Sequence, residues 1–156
     1  MKREIISRSS RQTQKAGEIL AKEILRKKTG KTALIVCLDG QLGGGKTTFL
    51  QGFAKGLKIK DKVLSPTFII CRKFKIPNRG SRADLKFQYF YHIDCYRIKK
   101  PKDMISVGLE KIISEPKNII ALEWAEKIKK ILPCGNIWVN FEFINKGARR
   151  ITIKKS

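Results

Sequence analysis

The feature that most constrains this fold is a glycine-rich segment that begins at Gly40 and ends at Thr47. Its sequence, GQLGGGKT, fits the pattern G-x-x-x-x-G-K-[ST] at every fixed position. An apolar run rich in β-branched residues precedes it at 32–38, and apolar residues at helical spacing follow it over 47–57. A buried strand, a glycine-rich turn and a helix in this order are the context that the motif requires. The sequence therefore predicts a loop that binds phosphate.

The residues of this loop suit a phosphate for reasons of shape and charge. Glycine lets successive backbone N–H groups point into one concavity, and the positive end of the following helix dipole adds to the attraction. A lysine here can reach the β- and γ-phosphates, and a threonine hydroxyl can bind Mg²⁺ that bridges the same oxygens. We therefore predict a nucleoside triphosphate site made by Gly43, Gly44, Gly45, Lys46 and Thr47.

Two acidic residues are candidates for the carboxylate that such a loop needs. Asp94 ends the apolar run YFYHI, and Glu123 ends the run IIAL. The carboxyl ends of parallel strands meet at one edge of a sheet, where the phosphate loop also lies. A carboxylate there can hold the hydration shell of Mg²⁺ or orient an attacking water. We predict Lys46, Asp94 and Glu123 as the catalytic residues.

The other apolar patterns complete an α/β architecture. The spacing predicts helices at 10–28, 101–113 and 125–132, strands at 67–74, 87–93 and 118–122, a loop at 76–86, and a hairpin made of 137–144 and 149–154. Helices that alternate with strands favour a three-layer α/β domain with a mixed, partly parallel sheet and a C-terminal hairpin. With 156 residues, the chain suits one domain over 1–156.

The nucleotide base can be argued from a missing motif. GTP-binding domains of this class carry Asn-Lys-x-Asp, whereas Asn145-Lys146 is followed here by Gly147-Ala148. ATP is therefore favoured, bound together with Mg²⁺.

His92 is the single histidine, and a hydrogen bond that orients its segment is favoured over general base catalysis. Arg97 leaves two alternatives, an arginine finger or a salt bridge.

Charge and apolar runs bear on location and partners. The net charge is +22, with 35 Lys and Arg against 13 Asp and Glu, which is typical of proteins that meet nucleic acid or acidic partners. The alternative is that lysines scattered over the surface raise the net charge without forming a binding site. The longest strongly apolar run, 33–38, is far shorter than the roughly 20 residues of a membrane span. We therefore expect a cytoplasmic protein with no membrane contact.

Five segments in this order and spacing resemble the TsaE (YjeE) family, the small ATPase of bacterial tRNA threonylcarbamoyladenosine (t6A) biosynthesis. They are GQLGGGKTTF from Gly40, SPTF from Ser65, HIDCYR from His92, GLE from Gly108 and EWAE from Glu123. The resemblance implies an ATPase that works with TsaB and TsaD. In that system TsaD transfers the threonylcarbamoyl group to adenosine 37 of tRNAs that read codons starting with A.

The resemblance also implies roles for individual residues. Leu42 and the five residues after it would bind the triphosphate, and Thr47 and Glu123 would hold Mg²⁺. Asp94 would lie by the metal and the γ-phosphate, Thr67 would contact the nucleotide as a switch, and Trp124 would line the site. Because no arginine finger is evident, we expect weak turnover alone and faster turnover with TsaB and TsaD.

A second reading belongs to a different class of protein. The chain could be a nucleotide-dependent RNA-binding or assembly module in which hydrolysis is incidental. Its support is the charge, including the pairs Lys129-Lys130, Arg149-Arg150 and Lys154-Lys155. Contact with tRNA is expected through the complex with partners, and direct contact stays open.

Overall fold

The computed structural model describes residues 2–64, 70–77 and 87–156. Its strands are β1 (Lys2–Ser7), β2 (Leu34–Gly40), β3 (Cys71–Lys75), β4 (Tyr89–Asp94), β5 (Asn118–Glu123), β6 (Ile137–Asn145) and β7 (Ala148–Lys155). Its helices are α1 (Ser10–Leu25), α2 (Lys46–Gly56) and α3 (Leu109–Ser114), with 3₁₀ helices at Pro101–Ile105 and Ala125–Ile131. Within these ranges, no helix has the length and apolar character that crossing a membrane would need.

The described strands form one seven-stranded sheet in the order β1-β7-β6-β2-β5-β4-β3. Strands β6, β2, β5 and β4 run parallel, whereas β1, β7 and β3 are antiparallel to their neighbours. Leu38 and Asp94 both pair with Glu123 in register, so the carboxyl ends of β2, β4 and β5 meet. The predicted mixed, partly parallel sheet with a C-terminal hairpin is confirmed.

Both faces of the sheet are covered, which gives three layers. Alternate residues of β2 face opposite sides: Val36 and Leu38 pack with α1 and α2, while Ile35 and Cys37 pack with α3 and the two 3₁₀ helices. A strand buried on both faces is continuously apolar, as the sequence of 32–38 indicates. The phosphate loop joins the end of this central strand to the start of α2.

Helices α1 and α2 approach closely because glycines lie between them. A Cβ atom on Gly52 would overlap the Gln14 carbonyl oxygen, and one on Gly17 would overlap the Phe49 carbonyl oxygen. Helix α1 begins at the N-cap Ser9, whose side chain accepts the Gln12 N–H at 3.1 Å. The close contact supports α2, whose first turn carries the lysine and threonine of the phosphate loop.

Strand β1 is a finding that the sequence patterns did not indicate. Its residues KREIIS carry charges and only two apolar side chains, so the alternation is weak. It pairs with β7 along its whole length, from Lys2 opposite Lys154 to Ser7 opposite Arg149. Charged side chains are common on an edge strand, because they discourage pairing with another chain.

The single helix predicted over 101–113 is wrong. A 3₁₀ helix, Pro101–Ile105, and α3 replace it, because Gly108 between them has φ of 71° and breaks the helical run. The helix predicted over 125–132 is a 3₁₀ helix, and α1 ends at Leu25 instead of residue 28. At that end the N–H groups of Arg26 and Lys27 donate to carbonyls three residues back, which tightens the last turn.

Two predicted segments fall partly outside the described residues. The strand predicted at 67–74 is described from residue 70 onward, where β3 begins at Cys71. The loop predicted at 76–86 is described only at residues 76 and 77. Strand β4, predicted over 87–93, spans Tyr89–Asp94.

Candidate nucleotide-binding site

The glycine-rich loop has the backbone that a phosphate site requires. Gly43 and Gly45 have φ of 74° and 103°, in the left-handed region that favours glycine. Gly44 donates its N–H to the Gln41 carbonyl at 2.9 Å, and a Cβ on Gly44 would lie only 2.8 Å from that oxygen. Helix α2 begins at Lys46, directly after the loop. The N-terminus of α2 therefore opens onto this turn, which is an arrangement that binds anions.

The side chain of Lys46 reaches back to the first residues of the loop. Its Nζ donates to the carbonyls of Gly40 at 2.6 Å and Gln41 at 3.0 Å, and it lies 4.1 Å from the centroid of the Trp124 ring. Burial lowers the pKa of Lys46 from its ordinary value, and the negative charge of Glu123 opposes that change. Lys46 as a residue is only 5% exposed.

Thr47 and Glu123 face each other across the end of the sheet. The Thr47 hydroxyl lies 3.4 Å from Oε1 and 3.5 Å from Oε2 of Glu123. A hydroxyl and a carboxylate are the oxygen ligands that Mg²⁺ prefers. Within the described residues, no cluster of three or more His, Cys, Asp or Glu could hold a metal ion. The donor set suits Mg²⁺ held by few protein oxygens together with phosphate and water, which is its usual coordination.

Asp94 ends β4 beside this pair and opposite Glu123 in the sheet. Its Oδ1 accepts the Tyr96 N–H at 2.8 Å. Burial raises the pKa of Asp94 from its ordinary value, the hydrogen bond from Tyr96 opposes the change, and the charge of Glu123 adds to it. The carboxylates of Asp94 and Glu123 therefore lie close enough to repel each other, and a bound cation would relieve this repulsion.

A cavity of about 500 Å³ joins these groups. Residues predicted for the site that line it are Leu42, Gly43, Gly44, Gly45, Lys46, Thr47, Asp94, Glu123 and Trp124. Leu42 is 75% exposed at its rim. Thr67 lies outside the described residues, so its predicted contact has no structural description. Arg97 also lines the cavity, and the Trp124 ring packs at a tilt against Tyr96 with ring centroids 5.2 Å apart.

Arg149 lines the same cavity, although the sequence placed it with the surface charges. Its Nη1 donates to the Gly44 carbonyl at 3.4 Å and lies against the backbone of Gly45. The next residue, Arg150, pairs instead with Glu4 at 3.0 Å and Glu142 at 3.1 Å. Side chains alternate along β7, and this alternation separates the two arginines. No local pattern distinguishes them.

His92 makes a hydrogen bond inside the site. The ring is fully buried, and its Nε2 lies 2.7 Å from Glu123 Oε1. The hydrogen bond that the sequence favoured is therefore present, and its partner is a predicted site residue. Alternation along β4 places His92 and Asp94 on one face, as expected.

The parallel core, the glycine-rich turn and the helix that follows it define a P-loop NTPase-like protein. Comparison with known proteins adds the family. The model of the family described as "Threonylcarbamoyl adenosine biosynthesis protein TsaE" matches residues 7–151. The chain belongs to the TsaE family.

Individual relatives agree with this assignment. A Rickettsia typhi protein named tRNA threonylcarbamoyladenosine biosynthesis protein TsaE is 36% identical over 122 residues, which cover 78% of this chain and 77% of that protein. A Haemophilus influenzae protein of the same name is 32% identical over 131 residues, covering 84% and 76%. The crystal structure of Bacillus subtilis YdiB superposes with a TM-score of 0.73 at 24% identity, covering 98% of this chain and 84% of that one. The likeness to YdiB shows a shared fold.

Proposed function

We propose that this chain binds and hydrolyses ATP as the ATPase of tRNA threonylcarbamoyladenosine biosynthesis, acting with TsaB and TsaD homologues. The observation that carries the proposal is the convergence of Lys46, Thr47 and Glu123 at the phosphate loop, with Thr47 Oγ1 3.4 Å from Glu123 Oε1. The names of the family and of its relatives support the pathway. The family match over 7–151 and a sheet that includes both β1 and β7 support one domain over 1–156.

In this proposal the loop amides and Lys46 bind the phosphates. The ammonium now held by the Gly40 and Gln41 carbonyls lies on the same loop, so a short movement of its side chain would reach phosphate oxygens. Thr47 and Glu123 would hold Mg²⁺, which when bound neutralises charge on the phosphate oxygens. Asp94 would accept a hydrogen bond from water near the metal and the γ-phosphate. Trp124 covers Lys46 and limits water around it.

ATP turnover with and without TsaB, TsaD and tRNA tests the proposal. We expect slow turnover by the chain alone and faster turnover in the presence of the partners. Lys46→Ala should abolish turnover in both conditions, because the phosphates lose their charged anchor. Lys55→Ala is the matched control: Lys55 lies on the same helix with a side chain that is 78% exposed, so turnover should stay within about twofold of wild type. Wild-type rates that do not change with the partners would contradict partner stimulation.

The RNA-binding or assembly reading makes a different prediction for Glu123→Gln. If that variant binds ATP and still supports tRNA modification over many turnovers, hydrolysis is not the function. The structure weakens the charge argument for this reading, because Arg149 lies in the cavity and Arg150 pairs with two glutamates. Lys129, Lys130, Lys154 and Lys155 remain exposed. Direct tRNA binding through them would show a steep salt dependence.

A further inference from the structure

The carboxylate of Glu123 is held at one oxygen by a residue that the proposed function does not use. His92 Nε2 lies 2.7 Å from Oε1, whereas Thr47 lies at 3.4 and 3.5 Å from the two oxygens. Both Glu123 and His92 are buried, at 3% and 0% exposure. The hydrogen bond to the imidazole is therefore the short contact that sets the orientation of this carboxylate.

The direction of the hydrogen bond follows from the chemistry of the two groups. An ionised carboxylate only accepts, so the imidazole must donate from Nε2–H. The other ring nitrogen, Nδ1, is buried and has no hydrogen-bond partner among the described residues. A neutral ring with its proton on Nε2 leaves an unpaired acceptor at Nδ1, and the alternative tautomer would leave an unpaired donor there and no bond to Glu123. Of the two neutral tautomers, the geometry therefore favours the one with its proton on Nε2.

The sheet register explains why these two residues meet. His92 pairs with Ala121, and Glu123 follows Ala121 by two residues on the same face of β5. The small side chain of Ala121 leaves space in which the imidazole can reach forward to the carboxylate. This placement depends on two neighbouring parallel strands and not on a loop. A donor in this position has a fixed direction.

We propose that His92 is a positioning residue that orients the Glu123 carboxylate for Mg²⁺ in the nucleotide complex. The inference rests on the proposed function, because it assigns the carboxylate to Mg²⁺. Groups that hydrogen-bond a metal ligand fix its orientation, and their loss typically weakens metal binding by about 10- to 100-fold. In this proposal His92 does not contact the nucleotide, so loss of its hydrogen bond should change only the metal-dependent part of nucleotide binding.

The test measures binding of a non-hydrolysable ATP analogue as Mg²⁺ is titrated, and Mn²⁺ binding by electron paramagnetic resonance in the same complex. His92→Phe keeps a ring and removes the donor. We expect its metal midpoint to rise by about tenfold or more, with metal-free affinity for the analogue unchanged within about twofold. His92→Gln, which offers an N–H at a similar reach, should restore most of the loss.

Two further variants separate the possible causes. Phe90→Leu is the matched control, because Phe90 is buried on the same strand and face, packs against Phe53 and Phe74, and does not line the cavity. It should lower the melting temperature and leave the metal midpoint unchanged. Equal midpoint shifts in Phe90→Leu and His92→Phe would overturn the inference. An unchanged midpoint in Glu123→Gln would instead refute the proposed metal site.

The wild-type protein provides an independent measurement that needs no variant. Because the chain has a single histidine, its ring nitrogens give one unambiguous set of ¹⁵N signals. We expect a proton on Nε2, and we expect that proton's signal to move upfield in Glu123→Gln as the charged acceptor is lost. A ring without a proton on Nε2 would overturn the inference even if His92→Phe failed to fold.

Discussion

The guanidinium of Arg149 donates from Nη1 to the Gly44 carbonyl over 3.4 Å, so the last strand of the chain closes over the phosphate loop. The two residues are 105 positions apart. Arg149 thus lines the cavity together with Lys46 and Arg97. This contact brings the C-terminal hairpin into the candidate site.

We expect Arg149→Ala to weaken nucleotide binding by about 10- to 100-fold. A hydrogen bond to a charged group contributes roughly 1.5–3 kcal/mol, and tenfold in affinity corresponds to about 1.4 kcal/mol. The measurement is the dissociation constant for ADP and for a non-hydrolysable ATP analogue by calorimetry.

Arg150→Ala is the control for charge alone. It removes the same charge from the neighbouring position, but its partners Glu4 and Glu142 are exposed, and exposed ion pairs contribute little. Binding should stay within about twofold of wild type. Equal losses in the two variants would mean that the general positive field, and not Arg149 in the cavity, attracts the nucleotide.

A fluorescence change on nucleotide binding should come from Trp124. The Lys46 ammonium lies 4.1 Å from the centre of its ring, and a phosphate that draws the ammonium away changes the field at the indole. The chain has two tryptophans, and Trp138 lines no part of this cavity. Trp138→Phe should therefore keep the change in emission, and Trp124→Phe should lose it. A signal that survives in Trp124→Phe would place its source elsewhere.

Much of this site was predictable because its requirements are local in the sequence. The phosphate loop is continuous in sequence, from its glycines to Lys46 and Thr47. This pattern predicts both the shape of the backbone and the positive charge of the site. Glu123 and Asp94 could be placed by a second rule, since each ends an apolar strand and parallel strands end at one edge.

What escaped prediction depends on pairing between distant segments. Arg149 and Arg150 are equivalent in the sequence, and only the register of β7 with β6 and β1 decides which one faces the loop. Strand β1 pairs with β7 along its whole length, although its own apolar content is low. The end of the helical run before Gly108 could not be predicted, because a glycine within an otherwise helical pattern is often tolerated.

Asp94 should make the folded protein less stable as the pH rises. Its pKa is raised by burial from the ordinary value of 3.8, so the folded state binds its proton more tightly than the unfolded state. The free energy of unfolding therefore falls as pH rises from 3.8 through the folded pKa, and then stays level. Asp94→Asn should be more stable than wild type at pH 7, and this gain should disappear below about pH 3.8. Urea unfolding over this pH range measures both.

Asp103 offers a control of opposite sign. The backbone N–H groups of Lys99 and Lys100 donate to its carboxylate, and the bond from Lys100 is the main cause of a lowered pKa. The contribution of Asp103 to the free energy of unfolding is present above pH 3.8 and is lost as the pH falls through the pKa of the folded state. Asp103→Asn should therefore be less stable than wild type at pH 7. The same sign of change in both variants would contradict the assigned pKa directions.

Gly52→Ala should destabilise the protein by about 1–3 kcal/mol, the usual cost of adding atoms to a packed interior. An added methyl group would overlap the Gln14 carbonyl oxygen, and backbone atoms on α1 cannot move aside as a flexible side chain would. Because α2 begins at the phosphate loop, displacement of the helix should also weaken nucleotide binding. Gly30→Ala is the control, since the nearest atom to its added Cβ is the Thr32 carbonyl oxygen at 3.8 Å. A Gly52→Ala variant as stable as wild type in urea would show that α1 and α2 separate more easily than their contact implies.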